Sequence, residues 1–350
     1  MNTAVLTSEQ KLIFEQRERP VLGAGEVLIE VAYCGVCRTD RKAYRQGQRD
    51  LRLPRVLGHE FAGTVAEIGA GVDGFVLGER VQVHPGIGCG VCDDCLNGDD
   101  QRCVAMKVLG FHLDGGFGRY CVIPSEGVQA GIITKVADHI PLYYAALSEP
   151  IACALHMIDH IDILPEDRLL IVGGGVLGCL MAKICQYLEI TENILIVEPN
   201  EKKRDLCRNL GFRSLPAENA KDIIKEIWPA GADAAIPCCP VNFGMELSLN
   251  ALKNGGKLGF FSGLTGNDAL TNKLINLMHY KELTVTGAYG CGLKDGKKAL
   301  ALLKNGFDLT DLPITFIALA NVEDTLKQTD TDHDLITMID YKKEKKKNDN

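Results

Sequence analysis

The residues able to do chemistry fall into three groups along the 350-residue chain. Gly173, Gly175 and Gly178 stand in the spacing G-x-G-x-x-G, directly after the apolar run from Leu169 to Val172. That order fits a buried strand, a tight turn at Gly173, a close approach of a pyrophosphate at Gly175, and a helix packed onto the strand at Gly178. The first N–H groups of the helix, around Val176 and Leu177, would face the phosphates with the positive end of the helix dipole behind them. A second apolar run, Asn193 to Val197, ends at Glu198, 20 residues beyond Gly178, where a ribose 2′-hydroxyl needs an acceptor. A glycine triplet alone is often an ordinary turn; strand, helix, strand and terminal acid together predict a dinucleotide site. An acid there, followed by Pro199 and Asn200 with no cation, favours NAD over NADP. Arg204, a helical turn further on, is expected in solvent.

Cys89, Cys92, Cys95 and Cys103 form the second group, C-x2-C-x2-C-x7-C, in a stretch dense in Gly, Asp and Asn. Four soft thiolates at this spacing suit a closed tetrahedral zinc site, and a loop with so little apolar surface would take folding energy from the metal. An iron–sulfur cluster and four free thiols are the rival readings, although the spacing differs from the ferredoxin run C-x2-C-x2-C-x3-C. The third group comprises Gly35-Val36-Cys37-Arg38-Thr39-Asp40, Gly58-His59-Glu60 and Ser148-Glu149-Pro150.

These groups need elements to position them. Residues 26–31 alternate polar and apolar and predict a strand after the turn at Gly23 and Gly25. Cys34 to Asp40 breaks that strand and opens a short helix. Further strands are expected at 57–65, 79–85 and 118–124, so the first part reads as an irregular β-rich domain or barrel. A helix from about Ala145 to Ile158, with Ser148 as its N-cap, leads into a regular alternation. Strands are expected at 168–172, 193–197, 233–236, 256–261 and 283–286. Helices are expected at 176–188, 201–210, 219–227, 243–253 and 270–280. Strand–helix alternation implies a parallel sheet. From Lys294 on, helix and strand return toward the first domain, and residues 341–350 read as a solvated charge run.

Length suggests two domains, and 46% hydrophobic residues can fill sizeable cores. A net charge of −8 argues against nucleic acid and anionic membranes as partners. The start of the chain lacks the basic and apolar pattern of a signal peptide, and no apolar stretch reaches the roughly 18 residues of a membrane span. A cytoplasmic protein is expected. In such a chain the other nine of the 14 cysteines, at 34, 121, 153, 179, 185, 207, 238, 239 and 291, read as small buried hydrophobes. Histidines 84, 112, 139, 156, 160, 279 and 333 read as surface or core residues.

With the Cys37 run, Gly58-His59-Glu60, the four-cysteine lobe and the glycine fingerprint in this order, the chain resembles the zinc-containing medium-chain dehydrogenases/reductases. These include alcohol, polyol and threonine dehydrogenases. The resemblance covers about residues 20–340. It implies an α/β protein: a GroES-like β-rich catalytic domain of residues 1–148 and 288–350, and an inserted Rossmann domain of residues 149–287 with a doubly wound parallel sheet. The active site would lie in the cleft between them. It implies that Cys37 and His59 are catalytic zinc ligands, that Glu149 lies near or on that metal, and that Glu60 ligates it or stands behind it. Thr39 would relay the alcohol proton and Arg38 would contact the cofactor pyrophosphate. The position where some members carry a relay histidine is Lys42, so the outer relay differs. Two zinc ions per chain, NAD in preference to NADP, a small-molecule alcohol and a homodimer or homotetramer are further implications.

Physical readings stand beside these. His59 could instead be a satisfied core histidine, Glu149 an acid favoured by a helix start, and Glu60 an outer carboxylate. A catalytic zinc keeps three protein ligands and an open position, where it acts as a Lewis acid on a substrate oxygen. Hydride then passes to the nicotinamide. The Ser-Glu-Pro context looks more like the polyol branch, so a secondary alcohol on a polyol, sugar or cyclitol is expected. Simple alcohols, threonine-type amino alcohols, or a non-catalytic zinc- and nucleotide-binding relative are the alternatives.

Overall fold

A computed structural model describes residues 2–264, 271–328 and 335–345. His333 and residues 346–350 of the lysine-rich end lie outside the described residues. The chain divides into two compact units, Met1–Ala152 with Cys291–Asn350, and Cys153–Gly290.

The first unit is built on a mixed seven-stranded sheet. Its central strand, Val27–Gly35, pairs antiparallel with Glu60–Ile68, with Tyr120–Ile123 and with Ile336–Asp340. Arg80–Val83 and Ile133–Lys135 extend the sheet on one side, and Ile314–Ile317 on the other. A second sheet orders Lys11–Gln16, Asn2–Ser8 and Arg55–Val56. Leu6, Ile29, Leu57, Phe61, Phe117 and Ile123 fill the core and are fully enclosed. The expected strands at 57–65, 79–85 and 118–124 stand at Glu60–Ile68, Arg80–Val83 and Tyr120–Ile123.

The second unit is a six-stranded parallel sheet. Its strand order is Arg213–Leu215, Ile194–Val197, Leu169–Val172, Ala232–Pro237, Leu252–Phe260, Thr284–Gly287. Numbered within the unit, that is 3-2-1-4-5-6, the doubly wound order whose direction reverses between the first and fourth strands. Leu169–Val172 and Ala232–Pro237 are buried throughout, as parallel strands covered on both faces must be. The expected helices stand at Val176–Tyr187, Glu201–Asn209, Ala220–Ile227, Asn242–Ala251 and Asn272–Tyr280.

Four expectations need correction. The three-residue strand Arg213–Leu215 was not anticipated; it is too short to show alternation. Ser148 does not precede its helix but is the first residue of Ser148–Ile161, and its buried hydroxyl has no hydrogen-bond partner among the described residues. Arg204 is not in solvent: only 9% exposed, it donates to the carbonyl of Glu198 at 2.7 Å and pairs with Glu201. Tyr341, expected in a solvated run, is buried with its hydroxyl on the Gly116 carbonyl at 2.7 Å, and Lys342–Lys345 form a helical turn. Of the other histidines, His84 and His156 are buried, His112 is half-buried, and His139, His160 and His279 are exposed. No described helix is long and apolar enough to cross a membrane.

Candidate active site and nucleotide loop

Strand pairing assembles the first cluster. Gly35, the last residue of one central strand, is registered opposite Glu60, the first residue of its partner. Cys37 lies two residues past the first strand and His59 one residue before the second, so both fall at the same end of the pair. The helix Arg38–Gln46 starts at this point with Cys37 as its N-cap. Asp40 at the third helical position accepts the Cys37 N–H at 2.9 Å, and the Thr39 N–H points at the Cys37 sulfur at 3.5 Å. This capping box fixes the thiol's direction. Ligand atoms of Cys37, His59 and Glu60 all lie within 4.8 Å of one another. Gly35 lets the carboxylate lie close against the backbone: a Cβ there would lie 2.1 Å from Glu60 Oε2, which would have to move.

The surroundings of these three groups explain what they suit. His59 is 5% exposed, and its Nδ1 is 3.4 Å from Asp40 Oδ1, a fully buried carboxylate. That orientation leaves Nε2 for the cluster, the arrangement in which an outer carboxylate orients a ligating imidazole. Burial works against a charged His59, yet Asp40 and Cys37 raise its pKa well above the ordinary value. Burial, then the Glu60 charge, pushes the Cys37 thiol up to about 11. Burial, then Glu149, pushes Glu60 up to about 8. Anionic groups thus crowd one enclosed spot and raise each other, a conflict that a divalent cation resolves. Thiolate, imidazole and carboxylate are together a donor set that fits zinc.

Glu149 sits half-buried in the first turn of Ser148–Ile161. Its carboxylate is outside the Cys37–His59–Glu60 group but within 4.8 Å of the Cys291 sulfur. Thr39 places its hydroxyl 3.7 Å from the Cys37 sulfur. Arg38 and Lys42 are exposed on the same helix. Asp40 is the residue that sequence reasoning passed over; the signal was an acid three positions after a potential N-cap.

The four-cysteine lobe is a second ligand cage. Cys89, Cys92, Cys95 and Cys103 hold their sulfurs within 4.8 Å of one another, a limit that accommodates the edge of about 3.8 Å that tetrahedral Zn–S bonds of about 2.3 Å demand. Backbone N–H groups of Val91 and Cys92 hold the Cys89 thiol down, at about 6, and the Cys89 N–H meets the Cys103 sulfur at 3.3 Å. Thiolates supported by backbone donors fit a closed zinc site. The lobe is clipped to the helix Leu293–Lys304: Asp100 accepts the Leu293 N–H at 3.1 Å and Asp99 pairs with Lys294 at 2.7 Å.

In the second unit the glycine loop leaves the central strand at the point where strand order reverses. Gly173 has φ +119°, and a Cβ there would lie 3.1 Å from the Cys238 carbonyl oxygen, on the chain leaving the neighbouring strand. A Cβ on Gly178 would lie 2.0 Å from the Gly173 oxygen, so the helix packs on the strand as the spacing implied. Gly175 faces open space and is the N-cap of Val176–Tyr187, with no side-chain cap bond. Gly175, Val176 and Leu177 are only half-buried. An uncapped N-terminus of a 12-residue helix beside a glycine opening fits a pyrophosphate. Glu198 accepts N–H groups from Gly174 at 2.8 Å and Asn200 at 2.9 Å, so its carboxylate is fixed at the strand end with lone pairs remaining.

Comparison with known proteins agrees with this geometry. Residues 23–132 match the family model of the alcohol dehydrogenase GroES-like domain, and residues 175–305 that of zinc-binding dehydrogenases. The L-threonine 3-dehydrogenase of Colwellia psychrerythraea is 30% identical over 88% of this chain and 90% of its own. A zinc-binding dehydrogenase of Sinorhizobium meliloti, solved bound to NADP, superposes with a TM-score of 0.86 at 25% identity, over 97% of this chain and 98% of its own. The 2R,3R-butanediol dehydrogenase of Bacillus subtilis shares the fold, with a TM-score of 0.84 at 22% identity over 97% and 99% of the two chains. The chain belongs to the zinc-containing medium-chain dehydrogenases/reductases, NAD(P)-dependent zinc oxidoreductases that act on small-molecule alcohols.

Proposed function

We propose that this enzyme interconverts a secondary alcohol and its ketone on a small hydroxyl-rich substrate of the polyol, sugar or cyclitol class, with NAD as the hydride carrier. The observation that carries the reading is the buried set Cys37, His59 and Glu60 with the Thr39 hydroxyl beside it. Cys37, His59 and one carboxylate, Glu60 or Glu149, would hold a zinc that polarises the substrate oxygen. Asp40 keeps His59 and Cys37 aimed, and Thr39 Oγ1 can take the hydroxyl proton and pass it on. Cys89, Cys92, Cys95 and Cys103 would hold a second, structural zinc. The loop from Gly173 to Gly178, with the N–H groups of Val176 and Leu177, would bind the pyrophosphate, assisted by Arg38.

Glu198 supports NAD over NADP. Its fixed carboxylate offers acceptors to a ribose diol and repels a phosphate, and the nearby Arg204 is committed to Glu198, Pro199 and Glu201. Two carboxylates, Glu60 and Glu149, close enough for one to raise the other, give polar anchors for further hydroxyl groups. A panel of alcohols, polyols, cyclitols and amino alcohols scored by NADH formation tests the reading. A monohydric alcohol turned over better than every hydroxyl-rich compound would overturn the substrate class. Threonine-type amino alcohols are the second reading, favoured by the L-threonine 3-dehydrogenase relatives.

The domain division of residues 1–148 with 288–350, and 149–287, belongs to the same proposal, as does a homodimer or homotetramer. The edge strand Thr284–Gly287, with Val285, Tyr280 and Tyr289 exposed near it, supports self-association. Four cysteines at metal-ligand spacing, Cys89, Cys92, Cys95 and Cys103, support a reducing, cytoplasmic setting.

A further inference from the structure

Two cysteines with no place in either zinc site lie directly under the nucleotide loop. Cys179, in the helix that follows the glycines, and Cys207, in the helix after Glu198, have their sulfurs 4.0 Å apart, and both are fully buried. They are joined to the loop itself. The Cys179 thiol points at the Gly174 carbonyl at 3.5 Å, and a Cβ on Gly174 would lie 2.9 Å from the Cys207 sulfur. Gly174 in turn donates its N–H to Glu198. Thiol pair, loop and cofactor-selecting acid therefore form one contiguous unit.

We propose that Cys179 and Cys207 are a redox-modification site, whose oxidation to a disulfide deforms the Gly174–Glu198 bond and weakens dinucleotide binding. The oxidant is hydrogen peroxide. One thiol gives up its proton, the thiolate attacks one oxygen of the peroxide, the O–O bond breaks and a sulfenic acid forms, and the departing hydroxide takes up that proton and leaves as water. The second thiol displaces the hydroxyl from that sulfur, forming the S–S bond and a second water. Two thiols lose two electrons and hydrogen peroxide gains them. Cys207 starts the sequence: its contact with the Cys179 sulfur lowers its pKa, while that same contact, together with burial, raises Cys179. The sulfurs must close to about 2.05 Å, and a packed interior transmits that movement to the loop touching both. Gly175, half-buried and facing open space, is the side from which a small oxidant would have to approach, so bound dinucleotide should slow the reaction.

The effect on the dinucleotide rests on the reading of this loop as the NAD site; the disulfide does not. The test treats the metal-loaded enzyme with hydrogen peroxide, maps cysteine peptides by mass spectrometry, and measures NAD affinity by titration before and after reduction with dithiothreitol. The expected result is a Cys179–Cys207 cross-linked peptide, a tenfold or greater rise in the Kd for NAD that dithiothreitol reverses, and slower cross-linking in saturating NAD. Cys179→Ser and Cys207→Ser should each bind NAD equally before and after peroxide, against their own reduced baselines. No cross-linked peptide at peroxide levels that oxidise other thiols would overturn the site. A cross-link with unchanged NAD affinity would overturn the coupling to the loop. If reduced wild-type enzyme bound no NAD at all, the loop assignment would fail, and the peptide map would still decide the disulfide.

Discussion

Cys37 and His59 derive their chemistry from what surrounds them. A thiol, an imidazole and two carboxylates in a solvated loop would behave independently; here burial and mutual repulsion raise Cys37 and Glu60, and Asp40 fixes the His59 ring. Replacing Cys37 or His59 with Ala removes a ligand without touching the glycine loop, which belongs to the other unit. Turnover should fall by about a thousandfold or more, the scale of several kcal/mol of Lewis-acid assistance. NAD affinity, measured by nucleotide fluorescence, should change less than about threefold, well under 1 kcal/mol. A large loss of NAD binding in Cys37→Ala would contradict that separation. Glu198 makes a second residue-scale prediction. Glu198→Gln keeps the shape but removes the charge that repels a 2′-phosphate, so the NADP-to-NAD ratio of kcat/KM should rise about tenfold. Its melting temperature should also drop, because the new amide must turn its NH2 toward the N–H of Gly174 or of Asn200. An unchanged coenzyme ratio would remove Glu198 from cofactor selection.

At the scale of elements, the glycine loop shows how little backbone latitude the proposed nucleotide site has. Gly178→Val puts a branched side chain where a single Cβ would already lie 2.0 Å from the Gly173 oxygen. The helix must move off its strand, which should cost about 1–3 kcal/mol of stability and move the N–H groups away from the phosphates. Tm and NAD affinity should fall together; a variant that loses neither would show that helix and strand need not touch. The lobe gives the complementary case. Cys95→Ala leaves three thiolates crowded in a loop with little apolar cover, so zinc content should drop by one per chain and Tm should fall. Full metal content in that variant would rule out the cage. Both candidate sites could be proposed from sequence because each is local: ligand spacing within 15 residues for the lobe, and strand–turn–helix for the loop. Periodicity located Leu169–Val172, Ile194–Val197 and Ala232–Pro237 well because each is buried along its length. It missed Arg213–Leu215, which is held by its neighbour's register instead of its own pattern. Asp40 was illegible for a related reason. Its partners are the Cys37 N–H, the Gly58 N–H and His59, and the last two come near only when the strands pair.

Acid stability belongs to the whole molecule, and His84 is where the fold is exposed to it. This side chain directly follows the Arg80–Val83 strand, is 2% exposed, and its Nε2 has no partner among the described residues. A Cβ on Gly296, in the helix that also holds the lobe, would lie 3.0 Å from its Nδ1. Burial lowers its pKa from 6.5 to about 4, against a smaller opposing effect of Asp295 and with a minor contribution from Lys297. The folded state therefore binds fewer protons than the unfolded chain between those two values. Stability from neutral His84 is fully present above pH 6.5 and is lost as pH falls toward 4. For a single group with these two pKa values, the loss between pH 7 and pH 5 is about 2 kcal/mol. His84→Gln removes the titration and keeps a polar side chain. Its Tm should fall less than that of the wild type across this interval, whatever its starting value at pH 7. Other acid-sensitive groups, including the clustered cysteines, are common to both proteins and cancel in the comparison. Parallel Tm-against-pH curves for the two would mean that protonation of His84 is not what acid acts on.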